Sequence, residues 1–248
     1  MANVGTYVYA IVRAEQRAPR GIAGVGSPPL PLRVLVEGRV AAVVSDAPPN
    51  LRARRRDLLA HQELLLRLTT SGPTLPMRFG MVAVDETAVR AQLATAEEGH
   101  LAVLDRLAGR VEVNLKAFAP SNVPTPLVRD HRNIRRLYDT ARRNPGYEAN
   151  LRLGEAVSTE LSRRAAEAGR DAVRKLSPLA HAVAEGPQVS GCVLNMSFLI
   201  DRTADDRFRA AARDFAACRQ EGVELRLVGP LPCYSFVGAD SPLAGAGA

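Results

Sequence analysis

The segment Thr6-Tyr7-Val8-Tyr9-Ala10-Ile11-Val12 alternates tyrosines with β-branched and small residues, the period-two signature of a strand. The same period returns at Val111 to Ala117, and stretches with helix spacing lie between. A chain that keeps switching between the two periods must bury helix stripes against sheet faces, which makes it α+β. After a Gly- and Pro-rich loop at 21–31, residues 33–36 and 39–45 flank Glu37-Gly38, a hairpin signal. From Leu51 to Thr70 the spacing is helical, with Leu58 and Leu65, and Leu59 and Leu66, recurring at seven, and Pro73 ends it. Thr74 to Phe79 reads as a strand or strand-like turn. Asp85 or Thr87 caps a second helix that runs to about Leu107, and Gly109 stops it. Val111 to Ala117 alternates again and is expected to close this first sheet. These elements approximate the split βαβ arrangement of a ferredoxin-like domain.

Pro120 to Pro126 reads as a linker, so the expected domains are 1–120 and 121–248. The second is predicted to be a helix-rich α+β unit of modified ferredoxin-like topology. A short helix from Asn133 to Arg143 is broken by Asn144-Pro145-Gly146. Glu148 to Glu185 forms one long helix or a pair. Val189 to Asp201 is a strand, Ala204 to Gln220 an amphipathic helix, and Val223 to Val228 a last strand. The terminal Ala244 to Ala248 has nothing to bury and reads as a disordered tail.

A hydrophobic fraction of 46% against 24% charged residues is enough to build a sizeable core. Apolar runs such as Val40 to Val44 are far too short to span a bilayer, and the N-terminus lacks the basic and apolar regions of a signal peptide. A cytoplasmic protein with no membrane contact is expected. Cys192, Cys218 and Cys233 are too few and too scattered for a disulfide framework or a zinc knuckle, and are expected to be buried thiols. The net charge of +7 is spread evenly over the two halves, and all but Lys116 and Lys175 of the basic side chains are arginine. A solvated, salt-bridged surface is the expectation.

Gly21 to Gly26 is glycine-rich, but Ser27-Pro28-Pro29 follows where a phosphate cradle needs a helix to open, so a flexible loop is expected. His61-Gln62-Glu63 resembles the start of a zinc-protease helix, yet Leu65 stands where the second histidine belongs; a packed histidine is the expectation. No Gly-x-Ser-x-Gly elbow and no cysteine with a nearby histidine is present. The expectation is therefore no enzyme, no cofactor, no metal and no small-molecule substrate. Arg52, Arg54, Arg55 and Arg56 gather at the positive end of a helix dipole, where an acidic surface would relieve them. A ferredoxin-like sheet with that basic helix gives the alternative function, an RNA-binding protein. Such a protein needs aromatics on its sheet, and aromatics are 4% of the chain with no tryptophan, so no nucleic acid is the expectation.

Five segments in order resemble the gas vesicle protein F/L (GvpF/GvpL) family. They are the opening run with Tyr7 and Tyr9, the strand ending Val43-Val44-Ser45, and Leu75-Pro76-Met77-Arg78-Phe79-Gly80. Then come Arg152-Leu153-Gly154-Glu155-Ala156-Val157 and the closing run from Gly229 and Pro230 through Cys233, Tyr234 and Phe236 to Val237. Cys233 departs from the pattern, which has a second proline there. The resemblance implies a two-domain protein with a ferredoxin-like N-terminal domain, acting as an accessory or minor structural protein of gas vesicle assembly. Its implied partners are the small hydrophobic shell protein and other accessory proteins, and its implied place is the gas vesicle, in the F branch the gas-facing surface of the shell. The motifs themselves read as scaffold. Pro76 restricts its strand to an edge or bulge, and Arg78 points away from Met77 and Phe79. Pro230 and Pro232 stiffen the run that places Tyr234 and Phe236.

Overall fold

The computed structural model describes residues 5–19, 21–49, 51–120, 127–128, 131–218 and 223–238. The expected linker at 121–126 and the tail at 244–248 lie outside these residues. The first sheet contains β1 (Thr6–Arg13), β2 (Arg33–Glu37), β3 (Val40–Asp46), β4 (Thr74–Pro76) and β5 (Val82–Ala83). Its order is β2-β3-β1-β4, with β5 also on β1. Pro76 therefore sits at an edge, where its missing N–H disturbs no ladder.

β1 is buried on both faces, so its alternation sorts side chains between two cores rather than between core and water. Val8 and Ile11 face α2 (Glu86–Thr95) and α3 (Glu97–Leu107), against Val89, Leu93, Leu101 and Leu104. Tyr7, Tyr9, Ala10 and Val12 face α1 (Arg55–Ser71), against Leu64, Leu65 and Leu68. The pairing of β1 with β3 shifts between Val8 and Ala10. This bulge lets Tyr9 and Ala10, neighbours in sequence, share one face.

Several expectations changed in detail. α1 starts at Arg55 rather than Leu51, and Leu58 and Leu59 are exposed while His61, Leu64, Leu65 and Leu68 form the buried stripe. The helix expected to run from about residue 85 to 107 is two helices that meet at Ala96. Asp85 caps the first, accepting the Ala88 N–H at 2.8 Å. β6 (Arg110–Phe118), expected to close the first sheet, is an inner strand of the second, whose order is β7-β8-β6-β9. Periodicity marks a strand but cannot name its partner, because pairing is decided by contacts remote in sequence.

The second sheet is completed by β7 (Ala182–Glu185), β8 (Cys192–Asp201) and β9 (Glu224–Leu231). The helices here are α4 (Arg132–Arg143), α5 (Tyr147–Leu176) and α6 (Asp205–Cys218). Residues 182–185, read as helical, instead pair antiparallel with β8. On α5, Ala165, Ala168, Gly169 and Ala172 are all buried. A Cβ at Gly169 would lie 3.1 Å from the Ala117 Cβ and 3.2 Å from the Leu194 Cβ, so this helix runs close over β6 and β8. Phe198 of β8 and Phe208 of α6 stack at 5.2 Å.

By packing, the described residues form two compact units, those from 5 to 112 together with 229–238, and those from 113 to 228. None of the described helices is long and apolar enough to cross a membrane. Cys233 is buried, Cys192 half-buried and Cys218 exposed, so the expectation of buried thiols holds fully for one of the three.

Candidate functional site

Most of the N-terminal motif residues meet in one buried cluster in the first unit. β1 delivers Tyr7 and Tyr9, α1 delivers His61 one turn before its leucine stripe, and the segment after β4 delivers Met77, Phe79 and Gly80. The Gly80 N–H donates to the Tyr7 hydroxyl at 3.1 Å. That hydroxyl lies 3.0 Å from Nδ1 of His61, and Nε2 of His61 lies 3.0 Å from the Met77 carbonyl. The carbonyl can only accept, so Nε2 carries the proton and Nδ1 accepts from Tyr7. Phe79 lies edge-on to both rings, at 6.1 Å from Tyr7 and 5.7 Å from His61.

Tyr9 anchors a second chain of bonds. The Val25 N–H donates to its hydroxyl at 2.8 Å, which lies 2.9 Å from Ser45 Oγ, and Ser45 donates on to the Asp46 carbonyl. The Gly26 N–H donates to Asp57 at the start of α1 at 3.1 Å. The glycine-rich loop is therefore folded onto β1 and α1 rather than loose, and its N–H groups serve the protein's own side chains. Gly24 is required by closeness: a Cβ there would lie 2.2 Å from the Tyr9 hydroxyl.

Burial raises the Tyr7 and Tyr9 pKa values, chiefly by desolvation. Burial also lowers that of His61, which favours the neutral ring its hydrogen bonds require. Both ring nitrogens are occupied and only 2% of the residue is exposed. The cluster thus fastens the 77–80 segment to β1 and α1, and presents neither a lone pair to a metal nor a base to a substrate.

The closing motif is held by two side chains of the same unit. Glu112, buried, accepts the Ser235 N–H at 2.9 Å and the Ser235 hydroxyl at 2.7 Å. Arg106 donates to the Phe236 carbonyl at 2.6 Å. Phe236 and Cys233 are buried, whereas Pro230 and Tyr234 are exposed and Gly229 half-buried. Leu75, Pro76 and Met77 are buried and Arg78 exposed, so the motif strand presents one charged side chain outward.

The motif on α5 differs. Arg152, Gly154 and Glu155 are exposed, while Val157 packs with Leu127, Ile134 and Leu161. Near it Glu160 is buried and gripped by Arg163 at 2.9 Å and Arg164 at 2.8 Å, with His131 at 3.7 Å. The two guanidiniums, Arg163 first, hold its carboxyl well below the usual range, at about 2. Arg52, Arg54 and Arg55 are exposed at the start of α1, and Arg56 lies 3.4 Å from Asp57. The closing motif joins the N-terminal one inside the first unit, where Val237 packs against the cluster that holds Val8, Leu75 and Met77, while the α5 motif belongs to the second unit.

Sequence reasoning missed Ser45's partner, the loop N–H groups, Asp57 and Glu112, because each acts across tens of residues. Glu112 carried no signal of its own, because it takes one of the polar positions of a strand that alternates through Arg110, Asn114 and Lys116, a pattern that reads as a solvent-facing side.

The chain matches the family model described as gas vesicle synthesis protein GvpL/GvpF over residues 5–238. It is 40% identical to gas vesicle protein F of Streptomyces sp. (strain CB03234), covering 94% of this chain and 100% of that one. It is 33% identical to gas vesicle protein L of the same organism, covering 94% and 92%. Among solved structures, GvpF from Anabaena sp. PCC7120 superposes with a TM-score of 0.74 at 22% identity, covering 95% of this chain and 98% of that one. GvpF from Microcystis aeruginosa superposes with a TM-score of 0.72 at 20% identity, covering 95% and 99%. The fold is thus that of the solved GvpF chains, and the near full-length match places this chain in the GvpL/GvpF family of gas vesicle proteins.

Proposed function

We propose that this protein is a non-catalytic accessory component of gas vesicle assembly that binds the small hydrophobic shell protein and other accessory proteins. Holding shell monomers on amphipathic helices and a sheet edge would limit aggregation of a very apolar subunit before it joins the wall. The observation that carries this reading is the family match over residues 5–238. The occupied ring nitrogens of His61 agree with it. Higher identity to the F relative than to the L relative, 40% against 33%, favours an F-type role at the gas-facing surface of the shell.

The RNA-binding alternative needs an open sheet with stacking aromatics. Here Tyr7 and Tyr9 lie under α1, and the other face of the same sheet lies under α2 and α3. Co-purification of the full chain with the shell protein tests the proposal. Stable association, with vesicle formation impaired in a deletion strain, is expected; no association, with vesicles forming normally, would sink it.

A further inference from the structure

Several arginines of the first unit are paired within it, although the exposed Arg52, Arg54, Arg55 and Arg78 are not among them. Arg33 pairs with Asp46 at 2.7 Å and Glu86 at 3.0 Å, Arg39 with Glu97 at 2.7 Å and also with Glu98, and Arg13 with Asp105. α4 is different. Its twelve residues hold five arginines and one aspartate. Arg132, Arg135, Arg142 and Arg143 are exposed and make no ion pair among the described residues. A shallow groove of about 680 Å³ runs along this helix, lined by Arg132, Arg135, Arg136 and Arg143. Thr140 lines both it and a second groove of about 440 Å³, whose other walls include Leu137, Tyr147 and Ala149.

α5 supplies an independent observation. Tyr147, Leu151 and Gly154 recur at i, i+4 and i+7 and so share one helix face. Tyr147 is 82% exposed and Leu151 47% exposed. A Cβ at Gly154 would have nothing within 4 Å, in contrast to Gly169 of the same helix, which is pressed against β6 and β8. Among the described residues no contact calls for a glycine at 154, a residue that weakens a helix. A glycine beside an exposed tyrosine and leucine is what close approach of another helix requires, and tyrosine and arginine are the residues that anchor such interfaces.

We propose that the α4–α5 hairpin is the docking surface for an acidic amphipathic helix of a partner protein. The helix lays its apolar stripe on Tyr147 and Leu151, passes closest over Gly154, and sets Asp or Glu side chains against the α4 arginines. Charge selects this occupant: a second copy pairing through the same surface would set arginine against arginine. The inference rests on the accessory reading only in requiring a protein partner.

The test titrates the full chain with three labelled probes. These are a helical peptide with a leucine stripe and flanking glutamates, the same peptide with flanking lysines, and a single-stranded RNA oligonucleotide. The glutamate peptide is expected to bind at least about tenfold tighter than the lysine peptide, with a preference that shrinks as salt rises. Combined Arg135→Glu, Arg142→Glu and Arg143→Glu should reverse the preference, and Gly154→Leu should abolish binding while circular dichroism shows the helix content retained. Equal affinity for the two peptides, or a preference unchanged by charge reversal, overturns the proposal. So does RNA binding tighter than the glutamate peptide's, or self-association that Tyr147→Ser removes. The peptides contain no shell-protein sequence, so this result and the co-purification can fail separately.

Discussion

Tyr7 is sealed in the first unit between β1 and α1, its hydroxyl placed between the Gly80 N–H and His61; Tyr147 begins α5 in the second unit with 82% of its surface open. The same contrast runs through the family motifs. Leu75, Met77, Phe79 and Phe236 are accounted for by what they pack against, whereas Arg152, Gly154 and Glu155 are exposed. Motif residues that the protein's own interior explains tell little about partners. Gly154, with nothing among the described residues close enough to explain it, directs attention outward, which is why the α5 segment carries the inference and the larger N-terminal cluster does not.

The hardest test of that division removes a residue on the buried side. Tyr7→Ala should lower stability by about 3–5 kcal/mol, the range for deleting a large buried ring, read from urea denaturation. A loss below about 1 kcal/mol would show the cluster to be loosely packed and the contrast false. Gly24→Ala comes next, because its Cβ would displace the Tyr9 hydroxyl from Val25 and Ser45; about 1–3 kcal/mol should be lost, seen as a lower denaturation midpoint and a changed near-ultraviolet tyrosine signal.

The two regions should also respond to acid in different windows. His61 in the folded chain binds its proton less readily than the ordinary histidine near 6.5 of the unfolded chain, as does the buried His100. The unfolded state therefore takes up more protons below about pH 6.5, and the first unit loses stability as pH falls from there. Glu160 shifts in the same direction but in a lower window: held at about 2 against an ordinary 4.5, it stabilises the second unit above that range and the contribution disappears as pH falls toward 2. Near-ultraviolet tyrosine signal tracked against denaturant should weaken between about pH 6.5 and 5 in the wild type and less so in His61→Gln. An equal decline in both would remove His61 from the account.

The smallest effect compares two glycines on one helix. Gly154→Ala should raise stability by roughly 0.5–1 kcal/mol, since only the helix preference changes. Gly169→Ala should gain less or lose, because its Cβ meets Ala117 and Leu194. Thermal denaturation of both variants reads the difference, and a loss of stability in Gly154→Ala would mean that an internal role for this glycine exists.

Local periodicity made much of the fold legible. Period two marked β1 and β6, the Glu37-Gly38 hairpin signal marked β2 and β3, a strongly apolar run marked β8, the Asp85 cap and the Asn144-Pro145-Gly146 break marked helix ends, and the place of Arg78 between Met77 and Phe79 put it on the opposite face. All of these depend on residues within a turn or two of one another, the range over which sequence pattern acts directly. The motifs were legible as motifs for the same reason, but not the bonds between them.

Tertiary structure alone decided which sheet β6 joins, that the β1 bulge turns Tyr9 and Ala10 to one face, and that Leu58 and Leu59 stay in water while His61 goes inside. It also separated two glycines that look alike in one helical sequence, and left Arg132, Arg135, Arg142 and Arg143 without an ion pair among the described residues in a chain whose overall charge is evenly spread. Each outcome depends on which remote surface arrives at a given position. Local sequence sets what a residue can form, and only the packed chain sets what it meets.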